Sequence, residues 1–331
     1  MKKKVEIFVP IMNGVEYSDY FGNINRVFKE FLQLSGMIEI KFQNRPISIL
    51  KIQKMTKRNS EIKKVFGNQY ERSVIKNFFR FYTELIIDDK KEVAEKKYHY
   101  YSLEYFVEGF VKQLLVYSNL AKPGAFDTRE GKIRITEFLD TEKIQISDFT
   151  MLANSIPYSL ELCEKYKWPP LKELPLNSTL TWLYHHSFAL ENLSKSRIQR
   201  ALNAFSYLFH ESFKDNDPGD LFFSLIGIEA IYAQNSNNIQ DQVNQKSQLL
   251  LGKRNEFKKI FNELYDYRSR YIHGQLNFTN KFFFDDEESA IEQILKTYEK
   301  SAFAIAILTS TIQKHIEENK EEFEYELVLK E

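Results

Sequence analysis

Residues 221–233 read Leu-Phe-Phe-Ser-Leu-Ile-Gly-Ile-Glu-Ala-Ile-Tyr-Ala and carry a single charge. At helical spacing the run is apolar on every side, and such a helix demands burial on every side. It predicts a bundle with other helices packed around it, and the flanking sequence supplies them. Ser196 can cap a helix bearing Ile198, Ala201, Leu202, Phe205, Leu208 and Phe209. Val243, Leu250 and Leu251 mark a shorter helix ending at Gly252. Phe257, Ile260, Phe261, Leu264 and Tyr271 stripe another, with Gly274 placed as a C′ residue. Asp285 and Asp286 precede a last long helix through Ile291, Leu295, Ala302, Ile305 and Ile312. The acidic tail 317–326 is expected to fray.

The first half mixes two periods. Lys4–Ile11, Ile38–Phe42, Ile47–Ile52 and Lys132–Leu139 read as strands, the second by strict alternation. Ile24–Leu32 and Leu103–Leu115 follow helix spacing, and so do Val74, Ile75, Phe78, Phe79, Tyr82 and Leu85. Trp168-Pro169-Pro170 and Pro175 form the strongest break on the chain. The expected fold is α+β overall and mainly α: a smaller α+β domain over 1–175, then a helical bundle over 176–331.

Composition narrows the chemistry. One cysteine, Cys163, excludes a disulfide scaffold and a multi-thiolate zinc site. No apolar run is long enough to span a membrane, and Glu6 and Pro10 interrupt the only candidate for a leader. The expected compartment is the reducing cytosol. There is no phosphate-binding glycine loop and no His-Glu-x-x-His. His185 and His186 are adjacent and point about 100° apart on a helix. The acids Asp285–Glu288 suit a helix start. No metal and no cofactor are expected. The charges balance, 46 against 46, but residues 51–100 hold 13 basic and 7 acidic side chains. Lys57, Arg58, Lys63 and Lys64, with Lys54, are the candidate contacts for an anion such as RNA.

Two polar residues stand where apolar ones are wanted. Glu229 shares a face with Phe222, Leu225 and Ile226. Arg268 falls at the centre of the stripe Phe257–Tyr271. A buried charge needs a partner, so the two are expected to meet. His273 lies about 140° from Arg268 around the helix, one turn beyond Ser269. That angle suggests a site completed across a two-fold interface. Arg suits a phosphate through its bidentate fork, and His suits proton transfer near neutral pH. A core Arg–Glu pair beside a capping His explains the same residues.

The helix 221–232 with its Ile-Glu-Ala centre, followed some forty residues later by Tyr265-x-x-Arg268-Ser269-x-x-x-His273-Gly274, resembles the HEPN superfamily. The likeness is greatest to the ApeA-type HEPN domain of phage-defence proteins and covers roughly 180–315. Ser118–Gly124 is similar to a segment upstream of that domain. The resemblance implies a metal-independent endoribonuclease acting as an abortive-infection toxin. Arg268 would bind the scissile phosphate, His273 would act as acid or base, and Glu229 would orient Arg268. Ser269 stands where many members carry Asn, Asp or His, and would support by hydrogen bonding. The implied partners are RNA, transfer RNA among the candidates, a second copy of the chain, and a phage-derived or regulatory trigger. The alternative within the family is a non-catalytic dimerisation or regulatory module. A nucleotide-binding or AMP-transferring bundle is a third reading.

Overall fold

The computed structural model describes residues 2–10, 21, 24–40, 47–67, 77–86, 103–138, 141–153, 156–185, 193–210, 218–235, 237–253, 257–276 and 288–325. The chain is α+β. It divides into two compact units. The first comprises Met1–Asn119, Gly124–Leu152 and His210–Ser212; the second comprises Leu120–Pro123, Ala153–Phe209 and Phe213–Glu331. Among the described residues no helix is long and apolar enough to cross a membrane.

The first unit is built on strands β1 (Lys2–Pro10), β2 (Ile38–Ile40), β3 (Ser48–Thr56), β4 (Asn77–Ile86), β5 (Thr128–Phe138) and β6 (Glu142–Met151). They form one antiparallel sheet in the order β2-β3-β4-β1-β5-β6. Its helices are α1 (Ile24–Gln33), α2 (Ser60–Phe66) and α3 (Leu103–Ala121), the last of which ends in the second unit. Strand alternation divides the sheet. Val5, Ile7, Leu50, Phe79, Phe81 and Ile133 face one way and are buried. Phe28 and Phe31 of α1 pack on Phe79 there, with ring centroids 5.2 and 5.3 Å away. Leu115 of α3 lines a small apolar cavity with Phe28, Phe79 and Val9 on the same side. Asn119 holds the turn after α3 by bonding to both the N–H and the carbonyl of Phe126.

The opposite face is charged. Cross-strand register sets Lys51, Tyr82, Glu6, Arg134 and Ile146 in one row, and Gln53, Arg80, Phe8, Lys132 and Asp148 in the next. Helix α2 covers only the end of this face, burying Ile62 and Val65 against Phe8, Met55 and Phe78. It starts because the Asn59 side chain accepts from Glu61 N–H, and it stops at Gly67, whose φ of 69° an L side chain rarely adopts. Glu6 is 1% exposed. It accepts from Arg80 Nε at 2.8 Å and Arg134 Nε at 2.7 Å, and Lys4 Nζ lies 3.1 Å away. Burial alone would push its carboxyl up, but the two arginine hydrogen bonds outweigh burial and hold it below the usual range.

The stretch expected as a helix over 74–85 is strand β4 at the centre of the sheet, with Val74 and Ile75 outside the described residues. Both of its faces carry aromatics: Phe79 and Phe81 on one, Phe78 and Tyr82 on the other. The period of two is thereby hidden, and 78, 79, 82 and 85 imitate helix spacing. Strand β6 was not foreseen. Its residues Glu142–Asp148 are all exposed, so no burial pattern marks them.

The second unit contains α4 (Ile156–Tyr166), α5 (Leu176–His185), α6 (Arg197–Ser206), α7 (Gly219–Tyr232), α8 (Ile239–Leu251), α9 (Phe257–Ile272) and α10 (Glu288–Glu317). Ser196 caps α6 in a full capping box with Gln199. The core follows α10, buried without a break from Ser301 to Gln313. Gly227 lets α7 come close to it. A Cβ there would lie 2.8 Å from Leu308 Cδ1 and 3.3 Å from Ala204 Cβ of α6. Tyr232 adds a hydrogen bond of 2.9 Å to Thr311.

Helix α7 is not buried all round. Leu221, Ser224, Leu225, Ile228 and Tyr232 face α6 and α10, but Phe222 and Phe223 are half-buried and Ile226 is 47% exposed. Ser224 and Gly227 let the buried side pack closely, and Phe222, Phe223 and Ile226 are left on the other. The units interleave along the chain, and residues 153–175 lie with the helices of the second. Helix α4 carries Leu160 and Cys163 into the second core, Tyr158 packs on Tyr298 of α10, and Trp168 beside the proline break packs on Phe303. The tail folds back and does not fray along 318–325. Asn319, at φ 52°, turns the chain, Lys320 N–H bonds to the His315 carbonyl, and Phe323 packs on the His315 ring at 4.6 Å. His186 and Asp285–Glu287 lie outside the described residues; His185 is exposed at the end of α5.

Candidate functional site

Helix α9 carries the site, and three contacts fix it in place. Tyr267 bonds to Thr297 and to Gln293 of α10, Glu263 pairs with Lys300 at 2.6 Å, and Asn262 accepts from Gln240 of α8 at 2.6 Å. Its C-terminus is a complete Schellman motif. Gly274 at φ 65° sits at C′, its N–H bonds to the Tyr271 carbonyl, and Gln275 N–H bonds to the Arg270 carbonyl. His273 is the C-cap of this motif, with its N–H on the Ser269 carbonyl at 3.0 Å. The backbone of the histidine is therefore fixed although its ring is exposed.

An open groove of about 530 Å³ runs along this helix, lined by Arg268, Ser269, His273, Tyr265, Asn262 and Asp266 together with Ile272 and Gln240. Arg268 and His273 thus share one groove within a single chain. Their angular separation suggested a site completed by a second copy; both residues nonetheless line this one groove.

Glu229 of α7 meets Arg268 as expected, with Oε1 3.4 Å from Nη1. The pair is not a core pair. The Arg268 side chain is 33% exposed and that of Glu229 18%, because the apolar stripe of α9 ends at a rim. Contact is also incomplete. Among the described residues neither Glu229 Oε1 nor the neighbouring Tyr265 hydroxyl makes an aligned hydrogen bond, although both atoms are buried. Burial first, and the Glu229 charge second, push the Tyr265 phenol well above its usual range. Tyr265 therefore stays a neutral donor beside the carboxylate. Sequence reasoning gave it no role, and it gave none to Gln240 and Asn262. Phe222 of α7 packs edge-on to Tyr271 of α9 at 5.5 Å and closes the apolar side of the rim.

The basic candidates lie in the first unit. Lys57 and Arg58 occupy the turn after β3, and Lys63 and Lys64 are exposed on α2, with Lys64 3.1 Å from Glu61. They are not brought together with Lys54, whose register partner Phe79 belongs to the helix-covered face. Among the described residues no three His, Cys, Asp or Glu side chains gather as ligands of a metal ion would. The Cys163 thiol is buried and pushed far up by that burial, so it is no nucleophile.

Comparison with protein-family models, with curated proteins and with solved structures finds no match to the chain.

Proposed function

We propose that the protein is a metal-independent endoribonuclease of the HEPN type, acting as a toxin in phage defence. The observation that carries the reading is the shared groove: Arg268 and His273 line one concavity, and Glu229 lies against Arg268. The guanidinium holds the scissile phosphate and stabilises charge on its oxygens as the RNA 2′-OH attacks phosphorus. His273 moves the protons, taking one from the 2′-OH or giving one to the departing 5′-oxygen. The products are a 2′,3′-cyclic phosphate and a 5′-OH. Glu229 and Tyr265 restrain Arg268 from behind, and Ser269 adds a hydroxyl at the rim. A second copy docking through Ile226 and Ile272, which are 47% and 56% exposed beside the groove, would bring a second Arg–His pair to the site.

One observation favours the non-catalytic alternative, a dimerisation or regulatory module. His273 is exposed, and what the capping turn holds is its backbone. Expression of wild type beside His273→Ala separates the readings, with growth and total RNA integrity as readouts. Nuclease action predicts loss of toxicity and a fall in cleavage of about 10²–10⁴-fold. It also predicts cleavage in EDTA and none of DNA. Equal toxicity of the two proteins, or cleavage restored only by magnesium, removes the proposal.

A further inference from the structure

Of the described elements, α2 packs on one end of the charged face of the sheet, and the composition of the rest is unusual for a solvated surface. Tyr82 is half-buried at its centre, and three cations surround the ring. The Arg80 guanidinium carbon lies 4.7 Å from the ring centroid, Lys4 Nζ 5.8 Å and Lys51 Nζ 5.9 Å. Beneath them Glu6 is saturated by Arg80 and Arg134, and a second carboxylate, Glu61, accepts from Arg134 Nη1 at 2.6 Å. Three carboxylates, Glu6, Glu61 and Glu84, thus serve Lys2, Lys4, Lys51, Lys64, Arg80 and Arg134, and the cluster stays cationic. Lys132 pairs with Asp148 at one margin, and Lys2 with Glu84 at the other.

We infer that this face binds single-stranded RNA, with Tyr82 and Arg80 as the stacking surface and Lys51 and Lys4 as phosphate contacts. The Arg80 guanidinium already lies over the Tyr82 ring, so the surface offers the two as one stacked platform with ammonium groups beside it. A nucleotide presents the complementary set in each repeat, a flat base joined to a phosphate. An acidic peptide presents the charge without the flat face. A duplex hides its base faces and is excluded by the same geometry. Successive rows of the face lie about 7 Å apart along the strands, and α2 continues the basic surface with Lys63 beyond the Arg80 row. The choice of RNA over DNA rests on the proposed cleavage activity; the binding surface is separate from the groove on α9.

The test is binding of a fluorescent 2′-O-methyl RNA single strand, which 2′-OH attack cannot cleave, to the full chain. Lys51→Glu and Tyr82→Leu should each weaken affinity about tenfold, and Lys51→Glu should lower the salt slope by roughly 0.7 or more. Lys54→Glu makes the same charge change on the same strand but on the opposite face, and should change affinity less than twofold. Circular dichroism confirms that each variant is folded. The inference fails if Lys51→Glu and Lys54→Glu weaken binding alike, or if polyglutamate of equal charge competes as well as RNA. It also fails if Arg268→Ala abolishes binding while Lys51→Glu leaves it intact, a result that keeps the groove reading. Binding that depends on Lys51 and Tyr82, together with no cleavage of ordinary RNA, keeps this inference and removes the nuclease.

Discussion

Each unit encloses a carboxylate with arginine beside it, and the two are treated oppositely. Glu6 in the sheet is sealed, and its oxygens take hydrogen bonds from two arginines. Glu229 in the bundle stands 3.4 Å from a single arginine at the edge of a groove, with Oε1 buried but unaligned. A saturated network over-determines its geometry and holds its arginines in fixed places. An under-satisfied pair holds its arginine loosely from one side and leaves the guanidinium's remaining donors to the groove. The first arrangement fixes a surface; the second leaves a guanidinium with donors to spare.

The largest expected effect breaks the sheet side of this contrast. Glu6→Ala takes the shared carboxylate from the largely buried side chains of Arg80 and Arg134, and should destabilise the first unit by about 3–5 kcal/mol. Urea denaturation followed by far-ultraviolet circular dichroism measures it. A loss no larger than that of a surface substitution would mean that the network is as loose as the Glu229 pair.

The next effect uses acid to separate the units. His315 is 1% exposed, and burial pushes it down to about 4, against the opposing effect of its contact with the Lys320 carbonyl. Because its folded value lies below the unfolded value near 6.5, neutral His315 stabilises the bundle fully above pH 6.5. That stability, about 3 kcal/mol, is lost as pH falls toward 4. Glu6, held below the usual carboxylate range, contributes stability that is lost only below about pH 4.5. The bundle should therefore loosen first. The only two tryptophans, Trp168 and Trp182, are buried in the second unit, so their emission reports on it alone. A red shift confined to pH below 4.5 contradicts the assignment.

The smallest effect sharpens the bundle side. Glu229→Gln should cost only about 1 kcal/mol, since both partners are partly exposed. It should nonetheless reduce RNA cleavage, through misplacement of Arg268. A loss of 3 kcal/mol or more with unchanged activity would make the pair structural after all.

What the sequence discloses follows the same line. The Arg268–Glu229 meeting was legible because charges on apolar stripes need partners, and the helix ends at Gly252 and Gly274 because both glycines take a positive φ there. Strand β4 was not legible, since its aromatics occupy both faces. Tyr265 carries no charge to set it apart from other stripe residues. Gln240 and Asn262 are polar residues 22 positions apart that become neighbours only when α8 and α9 pack. Glu6 appeared merely as an interruption in an apolar run, and its partners came from strands 74 and 128 residues away.

The capping turn at Gly274 bears on how such a chain can vary over time. Between Arg268 and His273 the tether is backbone alone, closed by hydrogen bonds from residues 273, 274 and 275 to carbonyls of 269, 271 and 270. Side chains at 270, 271 and 272 can drift with little consequence for where the histidine stands. A single inserted or deleted residue cannot, because it turns His273 by about 100° and carries it out of the groove. Along this stretch the count of residues between the arginine and the histidine is what lineage change must keep.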